Sequence, residues 1–219
     1  MRPEYQTYCV LGKTYELPHV SAQSKTKERI LMHSTLLFAE NGYSSISMRE
    51  IAESIGIKAA SLYNHFSSKE VLWNAVLDHA MDLYDLYMKQ LNATLGNANS
   101  FEEILEIMYT EPKKMDNPFT CFAFSLLSTD QIRDERTGEL FKDTFLGYGI
   151  EFHKKWFDTC VERAYVKPFN TWAVASFFIN SVAVALNLKV QELMGRSLPF
   201  DPSAMFAEQQ RFVLKHVVG

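Results

Sequence analysis

The amino-acid sequence predicts an all-α protein, and three observations carry that expectation. Apolar residues recur at three- and four-residue spacing almost without a break from Lys25 onward. Glycine and proline fall between these runs, as in Gly96-Asn97, Glu111-Pro112, Asn117-Pro118, Lys167-Pro168 and Leu198-Pro199. No stretch of alternating β-branched residues with hairpin turns interrupts the pattern. Of the 219 residues 47% are hydrophobic and 13% aromatic, enough for a packed core.

Residues 1–23 include Pro3 and Pro18, carry no clean periodicity and read as an extension ahead of the first helix. That helix is expected from about Ser24 to Asn41, with Ile30, Ser34, Leu37 and Phe38 on one face. Gly42 closes it, supplying the left-handed conformation a helix end favours. Ser47-Met48-Arg49-Glu50 has the form of a capping box, in which serine and glutamate satisfy each other's free backbone donors. Met48, Ile51, Ala52 and Ile55 then form the buried stripe of a second helix. Gly56 permits a tight turn, Ile57 plugs the corner, and a short third helix follows over about Lys58 to Phe66. Ser67 and Glu70 have the spacing of another capping box, heading a long helix to about Leu95. Further helices are expected at about 100–110, 118–129, 135–165, 169–195 and 202–217.

Bulk properties narrow the function. A net charge of −4 and a pI near 5.9 argue against a protein that coats nucleic acid indiscriminately, but not against a small reading head. Cys9, Cys121 and Cys160 are odd in number, widely spaced and free of CxxC pairing, so no zinc site, other metal or disulfide framework is expected. A reducing cytoplasm is the simplest setting, and no cofactor is implied. The uncharged run Pro168 to Leu188 is interrupted by Asn170, Thr171, Ser176, Asn180, Ser181 and Asn187, which favours a buried helix over a membrane span.

The segment Met48 to Phe66 supplies the parts of a helix-turn-helix: two short helices held by a tight turn, so that the second can enter a major groove. Ile51, Ala52, Ile55, Ile57, Leu62 and Phe66 would hold the pair inward. Lys58, Ala59, Ser61, Tyr63, Asn64 and His65 are left for the outer surface, a set of short, hydroxylic and amide groups suited to phosphates and base edges. Each has a plainer alternative: Tyr63 as a half-buried packing tyrosine, His65 as an ordinary surface histidine, Lys69 as a solvated lysine. Leu62 and Phe66 already supply the inner face, which turns Tyr63 outward. A lysine at a helix N-terminus is electrostatically unfavourable without an anion nearby, which points Lys69 toward a phosphate.

From Ile30 to Val71 the sequence resembles the DNA-binding domain of the tetracycline-repressor (TetR) family. The resemblance rests on Phe38-Ala39, Gly42-Tyr43, Ile51-Ala52, Gly56-Ile57, Leu62-Tyr63, Phe66 and Lys69-Glu70, and covers about a fifth of the chain. It implies a reading head over 24–70 and a helical effector-binding and dimerisation part over 71–219, joined through a long helix. It implies that Ser47 and Arg49 meet the backbone and sometimes a base, and that Lys58, Ala59, Ala60 and Ser61 begin the recognition helix. It also implies phosphate contacts from Tyr63, His65 and Lys69. Two departures stand out. Lys58 occupies a position where many relatives carry a capping Ser or Thr, and Ala59 and Ala60 lack long side chains, leaving base readout to Arg49, Lys58 and Asn64. Residues 24–70 hold six basic side chains against five acidic ones, so the acidic load lies elsewhere.

For the remainder, the resemblance implies a small-molecule effector held between helices and a homodimer formed by the last two helices. Phe119, Cys121, Phe122, Tyr148, His153, Trp156, Phe178 and Asn180 are the candidates for a mostly apolar ligand wall; core packing is the plainer account of each. Ala173, Ala175, Ser176, Ser181, Ala183 and Ala185, among Trp172, Phe177, Phe178, Ile179 and Val182, suit close helix approach, with Phe206, Phe212, Val213 and Val217 on the same seam. A dimer would read a near-palindromic double-stranded operator. Glu151, His153 and Cys160 are the one grouping with catalytic residue types, and their spacing forms no nucleophile–base pair. A constitutive DNA-binding protein without an effector is the alternative function.

Overall fold

The structure is a computed structural model that describes residues 5–10, 13–18, 25–110, 118–198 and 200–218, with side chains described from residue 26 onward except 118–120, 202 and 218. Ten α-helices follow one another among these residues: α1 Lys25–Asn41, α2 Met48–Ile55, α3 Ala59–His65, α4 Lys69–Leu95, α5 Phe101–Thr110, α6 Pro118–Asp130, α7 Glu135–Glu139, α8 Gly149–Glu162, α9 Thr171–Leu193 and α10 Pro202–Val213. A wider-wound stretch, Leu140–Tyr148, runs without a break between α7 and α8, and another, Leu214–Val218, continues α10. The body is all-α, as expected. The helices form two compact units, one of 1–85 with 117–137 and one of 86–116 with 138–219.

Within the extension, two strands pair antiparallel, β1 Tyr5–Val10 with β2 Lys13–Pro18, placing Tyr8 opposite Tyr15. Sequence periodicity does not announce them. Their stock of Tyr, Thr and Val nonetheless fits a pleated ribbon, and β1 lies beside α1 while β2 lies beside α6.

In the first unit α1 is the core. Every residue from Ile30 to Phe38 is buried, so the helix is covered on all sides and not on the single face its apolar spacing suggests. Its neighbours explain this, since α2 packs against it and so does α6. The enclosed hydroxyls of Ser34 and Thr35 are satisfied within the helix, donating to the carbonyls of Ile30 at 2.6 Å and Leu31 at 2.9 Å. Arg29 reaches from α1 to donate to the Ile55 carbonyl at 2.9 Å, setting a cation at the C-terminal end of α2. Arg136 of α7 donates to Asn74 and Asp78 of α4.

In the second unit α8 packs along α9, and α10 lies against α5 and α9. Phe101, Phe157 and Phe169 meet with ring centroids 5.7 to 6.2 Å apart. The helix α9 is long and apolar enough, by length and composition, to cross a membrane, with a mean hydropathy of 1.6. Its Ala175, Phe178, Ile179, Val182, Leu186 and Val190 are buried inside this unit. Cys121 and Cys160 are buried thiols, and burial pushes Cys160 up to about 11. Among the described residues no group of His, Cys, Asp and Glu could hold a metal ion.

Candidate nucleic-acid interface

The α2–α3 pair is built largely from local rules. Ser47 accepts from the Glu50 N–H at 3.3 Å, and Glu50 accepts from the Ser47 N–H at 2.7 Å, completing the capping box. The Ser47 hydroxyl foremost and the Ser47 N–H next, both beside the Glu50 carboxyl, hold it below its usual range, with Lys69 adding to the effect. Met48, Ile51, Ala52 and Ile55 are buried. Gly56 ends the helix at φ 73°, and the Ile57 N–H returns to the Ala52 carbonyl at 3.0 Å. The chain thereby turns into α3, whose Leu62 is fully buried.

The outer surface of α3 follows from that anchor. Lys58, Ala60, Tyr63, Asn64 and His65 are exposed, and Ala59 and Ser61 are partly so. Tyr63 is 49% exposed, which decides against a packing tyrosine. Lys58 stands at the N-cap without giving a side-chain cap bond, as expected for a lysine in place of Ser or Thr. Ser47 and Arg49 are exposed at the start of α2.

A shallow hollow opens beside this surface. Ser44, Ser45, Ser47, Tyr63, Ser67, Ser68 and Lys69 line it, with Ile46 and Met48 at its base. Six hydroxyls and one ammonium surround a space where two helices begin, a donor-rich setting for a phosphate. Of these serines only Ser47 stands out in the sequence as a contact. The others are loop residues brought together by the turn Tyr43–Ser45 and the α3–α4 junction. At that junction the serine expected to cap α4 is displaced by one: Ser68, not Ser67, accepts from the Val71 N–H at 3.1 Å. Helix α4 starts at Lys69, so the capping position is residue 68 and Ser67 is left to face the hollow.

Lys69 is half-buried, with its ammonium 4.3 Å from the centroid of the Tyr43 ring. Desolvation pulls it below the usual lysine value, and the Glu50 carboxylate acts against that shift.

Comparison with known proteins bears on this geometry. The profile described as bacterial regulatory proteins, tetR family, matches residues 30–76, the segment that carries α2, α3 and the hollow.

Over that segment the chain is similar to the TetR family.

Among its relatives, the HTH-type transcriptional repressor KstR2 of Rhodococcus jostii is 28% identical over 137 residues, 62% of this chain and 64% of that protein. The negative transcriptional regulator IcaR of the Staphylococcus aureus icaADBC biofilm operon is 30% identical over 83 residues, 38% of this chain and 41% of IcaR. The matched segments thus span less than two thirds of either relative. A transcriptional regulator from Saccharomonospora viridis, solved in complex with choline, shares the fold with a TM-score of 0.68 and 18% identity, over 90% of this chain and 100% of that one.

The remaining sequence candidates divide by environment. Phe119 lies outside the residues whose side chains are described. Cys121 and Phe122 are buried in the first unit. In the second unit His153 is 3% exposed, its ring 4.7 Å from that of Phe178, with Nδ1 2.7 Å from the Gly149 carbonyl. Burial pushes His153 down to about 4, so it is neutral at pH 7. Trp156 is half-buried. Tyr148, the last residue before α8, and Asn180 of α9 are exposed, and Tyr148 reaches the Phe178–His153 group only by way of Phe152, whose ring lies 6.2 Å from its own.

Tyr109 is a member of that group which periodicity hides among ordinary core positions. It is 1% exposed, meets Phe178 at 5.1 Å and Phe206 at 6.0 Å, and its hydroxyl has no hydrogen-bond partner among the described residues.

The small-residue seam of α9 is also divided. Ala175, Phe178, Ile179, Ser181 and Val182 face inward against the rest of their unit, as do Phe206 and Val213. Trp172, Ala173, Phe177, Val184 and Phe212 are exposed, and the Phe177 and Phe212 rings lie 6.4 Å apart. His153, Glu151 and Cys160 form no catalytic grouping, since His153 and Cys160 are buried and Glu151 is exposed.

Proposed function

We propose that this chain is a ligand-responsive transcriptional repressor that binds a near-palindromic operator as a homodimer and is released by a small-molecule effector. One observation carries the DNA-binding part: an exposed, short-chained α3 surface beside a hollow lined by five serines, Tyr63 and Lys69. In this reading residues 24–70 are the DNA-reading head. Arg49, Lys58 and Asn64 meet base edges, with methyl contacts from Ala59 and Ala60. Ser47, Ser61, Tyr63, His65 and Lys69 hold phosphates. Residues 71–219 supply the effector site and the dimer. Support for repression comes from KstR2, a transcriptional repressor, and IcaR, a negative transcriptional regulator, and support for an effector from the choline complex of the Saccharomonospora viridis regulator.

The dimer is supported by the exposed apolar stripe on α9 and α10. Exposed large apolar side chains that cluster, as the Phe177 and Phe212 rings do at 6.4 Å, are a feature of association surfaces, and a two-fold pairing would bury each copy's stripe against the other's. The effector is assigned to the buried group of Tyr109, His153 and Phe178, where the Tyr109 hydroxyl offers an unused donor. Its binding shifts the population toward a form with lower operator affinity.

Selection of duplexes from fragmented genomic DNA by the purified chain tests the reading. Enrichment of a two-fold-related motif is the expected result, and enrichment of no motif defeats it. Metabolite mixtures screened by thermal shift then test the effector: a stabilising compound that also weakens operator binding is expected. A regulator that no metabolite shifts is constitutive.

A further inference from the structure

We propose that Tyr43 is a positioning residue for DNA binding: its ring holds the Lys69 ammonium over the serine-lined hollow, so the phosphate contact is preset before DNA arrives. This rests on the DNA-binding reading above. The Lys69 ammonium lies 4.3 Å from the Tyr43 ring centroid, well inside the range of about 6 Å over which a ring face attracts a cation. The Tyr43 ring is itself fixed. Its centroid is 5.6 Å from that of Phe38 and 5.0 Å from that of Trp73, and those two rings meet edge-on at 5.4 Å. Phe38 and Trp73 are 1% and 3% exposed, so α1 and α4 anchor the platform in the core.

A free lysine samples many rotamers and gives up that freedom on meeting a phosphate. A lysine already resting on a ring has given up much of it in the folded protein, so less is lost on binding. The nearby anion does not intercept it. Glu50 is engaged by the Ser47 N–H at 2.7 Å, and Lys69 closes no ion pair among the described residues. The ammonium therefore stays available to an incoming phosphate, and its partial desolvation leaves less water to strip away. Local spacing does not reveal the pairing, because Tyr43 and Lys69 stand on either side of α2 and α3.

Two readouts test the proposal. In the first, the lysines of the full chain are ¹³C-dimethylated, which keeps their charge, and the Lys69 resonance is assigned from its loss in Lys69→Arg. Its expected position is upfield of the other lysines through the ring current, retained in Tyr43→Phe and lost in Tyr43→Leu. In the second, binding is measured on a duplex that the protein enriches from a random pool. Tyr43→Leu should bind about tenfold more weakly, with a salt slope shallower by about one unit, as for one lost phosphate contact. Tyr43→Phe should restore the slope and lie within about twofold of wild type. Lys69→Met should match Tyr43→Leu, and combining the two should cost no more than a further twofold. Multiplicative losses in the double variant, an unshifted Lys69 resonance, or a full salt slope in folded Tyr43→Leu each overturn the proposal. If Tyr43→Leu does not fold, Tyr43→Met, which keeps volume against Trp73 without a ring, takes its place under the same criteria. A wild-type chain that enriches no duplex defeats the DNA-binding reading and the positioning role with it, and a shifted resonance then shows that the ring contact exists without that use.

Discussion

The outer surfaces of α3 and of α9 with α10 differ in kind. On α3 the exposed residues are Lys58, Ala60, Tyr63, Asn64 and His65, short or polar groups with water as a tolerable neighbour. On α9 and α10 they include Trp172, Phe177, Val184 and Phe212, at 55, 43, 45 and 58% exposure. Both surfaces lie on the back of a well-filled core, so packing within the unit does not account for the contrast. A polar face can wait for a hydrated, charged partner, whereas exposed Trp, Phe and Val side chains leave the hydrophobic term unspent until another apolar surface covers them. The first is suited to binding that comes and goes with salt, the second to a permanent partner.

The sharpest break in this comparison is Phe177→Glu with Phe212→Glu. Sedimentation should show a dimer turned to monomer, with its dissociation constant raised at least about a hundredfold, since charges placed in an apolar seam are strongly disfavoured. An unchanged dimer would remove the α9–α10 face from the interface. Next in size is Leu62→Ala, which empties a fully buried site under α3. It should cost about 2–5 kcal/mol in chemical denaturation, and a smaller loss would mean that the α3 surface needs no internal anchor.

The pH dependence of the second unit follows from His153. An unfolded histidine titrates near 6.5, while burial pushes His153 down to about 4 in the fold. Between these values the unfolded chain binds the extra proton, so stability is full above pH 6.5 and is lost as pH falls toward 4. The loss is ~3 kcal/mol at most. His153→Phe should show a flatter stability profile across that window, and a profile as steep as wild type would assign the acid sensitivity elsewhere. Smaller still is the helix capping: Ser68→Ala should cost about 1 kcal/mol in thermal unfolding and Ser67→Ala less than about 0.5, and the reverse order would return the cap to Ser67. Lys69→Ala should leave stability nearly unchanged while lowering the salt slope of operator binding by about one, without changing the preferred sequence.

Much of the first unit was legible because its rules are local. The Ser47–Glu50 box, the Gly42 and Gly56 turns and the Met48–Ile55 stripe each depend on residues within one or two helical turns. The error at Ser67 is of the same kind, since two adjacent serines satisfy the pattern equally and backbone geometry selects Ser68. The β1–β2 pair escaped because Tyr5–Val10 and Lys13–Pro18 do not alternate cleanly between apolar and polar residues. The buried group around Phe178 was only partly legible: apolar spacing identifies the helices that enclose His153 and Phe178, but Tyr109 gives the same signal as any core aromatic.

The sequence by itself determined roughly where the helices lie and which face of α2 and α3 turns inward. Backbone capping and helical periodicity act over a few residues, so they are written in consecutive letters. Only the tertiary structure decided that α1 is enclosed on every side, that Arg136 ties α7 to Asn74 and Asp78 of α4, and that α9 keeps Phe178 inside and Phe177 outside. It also decided that Lys69 rests on Tyr43. Each of these depends on which element arrives as a neighbour from far along the chain, and a uniformly apolar helix such as α9 carries no mark that distinguishes the side a distant helix will cover.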